Sequence, residues 1–341
     1  MTAKIWTNIY DLVVPFKNTK LFNITSNLHT NNYTTIKIFK QAEKFFISLG
    51  LYPMTDAFWK YSVFTKPLDN DYFQCDESAF DFNNGYDYRI KMCAEVNEEV
   101  FFKAHHYMGH IEYFMSYSEQ PSIFRVEANT AFNEAIGDTM VLSVNNPTHL
   151  KKIGLLQGFL STREIEVNFL MKIALRKIPS IAFAYIADKW RWSVFRGEIT
   201  PQNYNKKWWE MIKTYQGIQP PFLRDNESYF DPGGIYKITT FTPYARSYIA
   251  EFLQFQIYKS LCRLSGHVGQ LYLCDFYQSR KAGWKLKEML SLGKSRHWSH
   301  TLKILTGTDK IESNAILEYF KPLMEWLITE NSKYQNDKVG W

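Results

Sequence analysis

The chain has 341 residues, 45% of them apolar and 17% aromatic, enough nonpolar surface to bury a large core, which excludes an intrinsically disordered protein. A formal net charge of +6 is modest, and with no zinc-finger or RNA-recognition signature beside it no nucleic-acid partner is expected. No apolar stretch is long enough for a membrane-spanning helix, and the length fits one large domain or two lobes sharing one cleft.

Residues 1–34 are mixed and polar. From Thr35 to Leu49, Ile36, Phe39, Ala42, Phe46 and Leu49 recur at helical spacing and predict an amphipathic helix that Gly50 and Pro53 end. The segment from Phe73 to Tyr88 is rich in aromatic and acidic residues and turns at Asn83-Asn84-Gly85, so a short strand or hairpin is expected there. Helices are expected over 98–117, 126–144, 164–196, 205–215, 243–264, 276–292 and 312–330, with loops at Gln219-Pro220-Pro221 and Asp231-Pro232-Gly233-Gly234. Trp190, Trp192, Trp208 and Trp209 read as core. Arg280, Lys281, Lys285, Lys287, Lys294 and Arg296 crowd one stretch and read as the solvated face of an amphipathic helix.

The chemistry concentrates in Ala104-His105-His106-Tyr107-Met108-Gly109-His110-Ile111-Glu112. A helix turns about 100° per residue, so His106 and His110 project from one face about 6 Å apart and can share a tetrahedral zinc ion. Glu134, on the second helical segment, supplies the third ligand, and the fourth corner is left for water. Asp138 shares a face with Glu134, beside small residues that permit close helix packing, and is placed to accept a hydrogen bond from a ligand histidine. His105 lies off the ligand face and reads as a packed or solvent-facing histidine. In a His-Glu-x-x-His site the residue after the first ligand is a glutamate that takes a proton from the water. Here it is Tyr107, whose phenol, with an ordinary pKa of about 10, is a poor base at neutral pH. Longer than glutamate, it is also placed to bring its oxygen near the metal and displace the water.

The four cysteines form two local pairs by spacing, Cys75 with Cys93 and Cys262 with Cys274, without Cys-x-x-Cys metal hooks, and two disulfides are the favoured reading. Glycosylation sequons start at Asn23, Asn32 and Asn226, and with the cysteines they point to an extracellular protein. The opening Met1-Thr-Ala-Lys-Ile-Trp-Thr-Asn8 has no signal-peptide pattern, so a truncated N-terminus is expected.

Together these motifs resemble the angiotensin-converting enzyme family of zinc dipeptidyl carboxypeptidases. The resemblance rests on Trp6-Thr-Asn-Ile-Tyr-Asp-Leu-Val-Val-Pro-Phe16, the stretch from Ala104 to Met115, Asn133-Glu-Ala-Ile-Gly-Asp138, Trp190-Arg-Trp192, Phe230-Asp-Pro-Gly233, Cys274-Asp-Phe-Tyr-Gln-Ser279, Tyr319-Phe-Lys-Pro-Leu323 and Lys338-Val-Gly-Trp341. It implies a mainly α, two-lobed zinc-peptidase fold with a small β element beside a deep cleft. Residues 1–341 would form a single peptidase-like domain, the C-terminal part of the family domain without its N-terminal lid helices. It also implies the disulfides named above and His106, His110 and Glu134 as zinc ligands.

Carried over position by position, the same resemblance implies lost chemistry. The general base falls at Tyr107, and the tyrosine that donates to the developing oxyanion falls at Ser247. Two substrate-contacting histidines fall at Lys237 and at Asp76, with Glu77 beside it. Of the groups holding the substrate carboxylate only Tyr244 is kept; Ile235 replaces the lysine and Lys4 stands at the glutamine position. Arg246 matches a chloride ligand of one site, while Ile212 replaces the arginine of the other. The expected function is a secreted, monomeric homologue with impaired catalysis that binds zinc and a peptide or protein. The alternatives are an active zinc metallopeptidase whose base has moved to Asp76 or Glu77, with Lys237 at the oxyanion, and a binding protein that uses its basic surface rather than the cleft.

Overall fold

Capping side chains decide where the helices start. Thr34 accepts from the Lys37 amide and opens the helix Thr35–Leu49, which Gly50 closes in the left-handed conformation at φ 84°. Asn97 caps Glu98–Ser116 through the Val100 amide, and Asn129 caps Thr130–Val144 through the Ala131 amide. The last of these begins later than residue 126 because a 3-10 turn, Ser122–Phe124, and the Asn129 cap occupy the segment where apolar periodicity already runs. Ser279 caps Arg280–Leu290 in the same way, so that helix too starts later than its periodicity implies.

The computed structural model describes residues 4–68, 72–158, 160–222, 224 and 228–334. Among them, fourteen α-helices and one two-stranded sheet make the protein mainly α. One compact unit gathers the described residues of 1–21, 162–251 and 320–341, and a second gathers those of 22–161 and 252–319. No helix among the described residues is long and apolar enough to cross a membrane.

The first unit is organised by a 33-residue helix, Arg163–Phe195, that carries Pro179 in its interior. A proline has no amide hydrogen, so the carbonyl four residues earlier loses its helical donor. That carbonyl belongs to Leu175, and it accepts instead from the Trp6 amide at 2.9 Å. Asn168 ties the same N-terminal segment down, accepting from the Phe16 amide and donating to the Phe16 and Thr19 carbonyls. Phe183, Trp190, Trp208, Ile212 and Tyr244 build the core of this unit. Trp192, read from the sequence as core, is 51% exposed: two residues past Trp190 it has turned about 200° to the other side of the helix.

In the second unit the helix Glu98–Ser116 lies at the centre and buries Phe101, Met108, Ile111 and Tyr113. Thr35–Leu49 packs on it with Ile38, Phe39 and Phe46 inward, while Ile36, expected on the same face, is 45% exposed. Strand β1 (Ser78–Asp81) pairs antiparallel with β2 (Tyr88–Lys91), Ser78 opposite Lys91 and Asp81 opposite Tyr88. Asn83 and Gly85 take the positive φ the turn requires. Cys75, just before β1, is bonded to Cys93, just after β2, and Cys262 is bonded to Cys274. Asn23 and Asn32 are exposed; Asn226 lies outside the described residues.

Gly283 marks where two helices of this unit touch: a Cβ there would fall on the Leu49 carbonyl oxygen, a backbone atom that has nowhere to move. Gly283→Ala is expected to cost about 1–3 kcal/mol, read as a lower urea midpoint for unfolding; an unchanged midpoint would contradict this packing.

Candidate metal centre

Two glycines set the distance between the helices that carry the site. Gly109 on Glu98–Ser116 faces Gly137 on Thr130–Val144, and a Cβ on Gly109 would sit 3.3 Å from the Gly137 Cα. A Cβ on Gly137 would lie 2.7 Å from His106 Nδ1, so only glycine leaves room for that imidazole. The close approach brings His106 and His110 on one helix against Asn133, Glu134 and Asp138 on the other.

The second atoms of the two imidazoles fix their tautomers. His106 Nδ1 lies 3.1 Å from Asp138 Oδ1 and His110 Nδ1 lies 2.6 Å from Asn133 Oδ1. Both partners are acceptors, so both Nδ1 atoms carry the hydrogen and both Nε2 atoms present lone pairs. Those two Nε2 atoms face each other at 3.0 Å. Burial, then the neighbouring His106, pushes the His110 pKa down to about 3, so at neutral pH it holds no second proton. Two lone pairs at this distance repel unless a cation stands between them. Glu134 Oε2 is 3.8 Å from His106 Nε2, and all three ligand atoms lie within 4.8 Å of one another. Bonds of about 2.0–2.1 Å in a tetrahedron space their ligand atoms about 3.3 Å apart. The donor set fits a divalent metal such as zinc, with the Glu134 carboxylate, its side chain 46% exposed, free to close the remaining gap.

Tyr107 packs its ring against both imidazoles, with centroids 5.0 Å from His106 and 5.7 Å from His110. The Glu77 carboxylate lies close enough for its charge to act on the hydroxyl. Burial first, then the charges of Glu77, Glu134 and Asp138, pushes the phenol pKa well above its ordinary value, so it stays protonated. Glu77, on the approach to β1, is paired with Lys103 at 2.7 Å, and Lys103 with Glu99 at 2.6 Å. Asp76 beside it is exposed. His105 is fully buried, with its Nδ1 2.8 Å from the Phe101 carbonyl, and belongs to the packing.

The remaining positions singled out from the sequence fall in the first unit. Tyr244 is 4% exposed, edge-on to Phe183, and Ile212 is sealed in the same core. Arg246 and Ser247, both half-buried, lie in the first turn of the helix Ala245–Leu264, and Lys237 lies on the short helix Tyr236–Thr239 after Ile235. Lys4 is half-buried. Asn133, Gly137 and Lys103 escape the sequence reading. Asn133 stands next to Glu134, but only the tertiary arrangement shows that it orients a histidine.

A helical fold with a His-His-Glu cluster of this kind is the mark of a metallopeptidase. The profile of the family described as angiotensin-converting enzyme, peptidase M2, matches residues 1–341. The chain belongs to that family. It is 47% identical to angiotensin-converting enzyme of Rattus norvegicus and 45% identical to that of Bos taurus, over all 341 of its residues and 26% of each relative. It is 42% identical over its whole length to angiotensin-converting enzyme-like protein Ace3 of Mus musculus, covering 46% of that protein. The chain thus spans about a quarter of the length of the first two relatives.

Gly137→Ala displaces the His106 ring and Asp138→Ala removes its acceptor. Each is expected to weaken zinc binding about 10–100-fold, measured by competition with a metal-sensitive fluorescent chelator; wild-type affinity in both variants would contradict the assignment of these two residues.

Proposed function

We propose that the protein is a zinc-holding, catalytically impaired member of the family that binds a peptide or protein segment without cleaving it. The observation that carries this reading is Tyr107 itself: a phenol, packed on both ligand imidazoles and held protonated by burial and by nearby carboxylates, stands where a general base belongs. His106, His110 and Glu134 would hold the zinc, with Asp138 and Asn133 aligning the imidazoles. When bound, zinc polarises a water or a peptide carbonyl. Beside it, Tyr107 offers a phenol, raised above its ordinary pKa by burial and then by Glu77, Glu134 and Asp138, where a carboxylate base would stand. Loss of a general base costs about 10²–10⁴ in rate and loss of an oxyanion donor, the role that falls at Ser247, about 10²–10³; such losses need not multiply.

Tyr244 matches the group that holds a ligand carboxylate and Arg246 a chloride ligand, while Ile212, at the second chloride position, is packed in apolar core. Two disulfides and the exposed sequons at Asn23 and Asn32 support an extracellular glycoprotein. The partner is a peptide or protein rather than nucleic acid, and the protein acts as a monomer.

A second reading has one observation in its favour: Glu77 brings a carboxylate to the Tyr107 hydroxyl beside the metal centre. Its ion pair with Lys103 at 2.7 Å ties the carboxylate away from a free role, which favours the first reading. Purified protein loaded with one equivalent of zinc and given peptides with free C-termini is expected to release no dipeptide by mass spectrometry. Tyr107→Glu is expected to raise hydrolysis above the wild-type background. Ready release by the wild-type protein overturns the proposal, and its loss in Glu77→Gln would move the base to Glu77.

A further inference from the structure

Away from the metal centre, the second unit carries a half-open pocket of about 210 Å³. One wall is the helix Ala245–Leu264, where Gln256, Lys259, Ser260 and Arg263 share a face at helical spacing. The other wall is the segment from Thr306 to Ala315. Gln256, 6% exposed, fixes that wall: its Nε2 donates to the Lys310 carbonyl at 2.9 Å and its Oε1 accepts from the Glu312 amide at 3.2 Å. Thr306 Oγ1 accepts from the Thr308 amide and donates to the Leu302 carbonyl, so the loop is held from within as well.

The charges of the lining do not cancel in place. Lys259 is matched by Glu318 at 2.6 Å. No hydrogen bond or ion pair reaches the Arg263 guanidinium from any described residue, and among them the Glu312 carboxylate meets only Asn314 Nδ2, at 3.3 Å. The cavity therefore presents one unmatched cation and one carboxylate without a cation. Of the lining residues only Ala315 has no polar side-chain atom. A simple anion would suit Arg263 but meet Glu312, and a simple cation the reverse. The volume falls below the roughly 300–1,000 Å³ of sites for drug-sized molecules.

We propose that this cavity binds a small zwitterion of the amino-acid class, its carboxylate on Arg263 and its ammonium on Glu312. A guanidinium presents parallel N–H donors that match a carboxylate, and a carboxylate accepts from an ammonium with the added strength of charge. Arg263 is exposed and Glu312 half-buried, which holds the affinity to roughly the millimolar range. The proposal is independent of zinc and of the state of Tyr107.

The test is calorimetric titration of the whole chain with L-alanine, with propionate and with ethylammonium, which each keep one of its charges. Saturable binding of L-alanine is expected, with both analogues at least about tenfold weaker. Arg263→Gln and Glu312→Gln should each weaken L-alanine at least about tenfold while zinc content and the unfolding midpoint stay unchanged. Absence of saturable L-alanine binding by folded protein, equal binding of propionate, or binding indifferent to both substitutions overturns the proposal. Because the Gln256 contact reaches the Glu312 backbone, the loop keeps its anchor in Glu312→Gln. A variant that still fails to fold leaves the analogue series to decide.

Discussion

The contact between Gly109 and Gly137 is the constraint on which the rest of the metal centre depends. Helices with ordinary side chains at the crossing would stand further apart, and the His106 ring would have no space beside the second helix. With the backbones this close, Asn133 and Asp138 reach the Nδ1 atoms of the two histidines and turn both Nε2 lone pairs toward one point. The geometry that binds a cation is thus made by helix packing and second hydrogen bonds as much as by the ligands themselves.

In the proposed function the same region separates holding a metal from using it. The ring of Tyr107 leans on both imidazoles with the Glu77 carboxylate nearby, whose charge is balanced by Lys103. Every anion near the phenol, Glu77, Glu134 and Asp138 alike, opposes its ionisation. Burial first, and then the same carboxylate field that favours a divalent cation, keeps the Tyr107 phenol above its ordinary pKa. The pair of Glu77 with Lys103 also joins the approach to β1 to the helix Glu98–Ser116, and the Cys75–Cys93 disulfide clamps that hairpin at its open end.

Much of this was legible in the sequence where a single period governs. His106 and His110 follow from the helical repeat, and the hairpin follows from Asn83-Asn84-Gly85. The ends of helices followed less well, because a cap such as Asn129 or Ser279 overrides apolar periodicity that runs past it. Trp192 shows the limit of composition: an aromatic residue sits inside only if its angle on the helix points there. The approach of Glu77 to Tyr107, and the hydrogen bond of Asn133 with His110, depend on segments distant in the chain, and no local rule reports them.

Equilibrium dialysis of zinc against the purified chain and its His106→Ala and His110→Ala variants addresses the centre most directly. The account requires one tightly held zinc per wild-type chain and its loss in either variant with the fold retained. A wild-type chain that takes up no zinc, or histidine variants that retain it, would contradict the account.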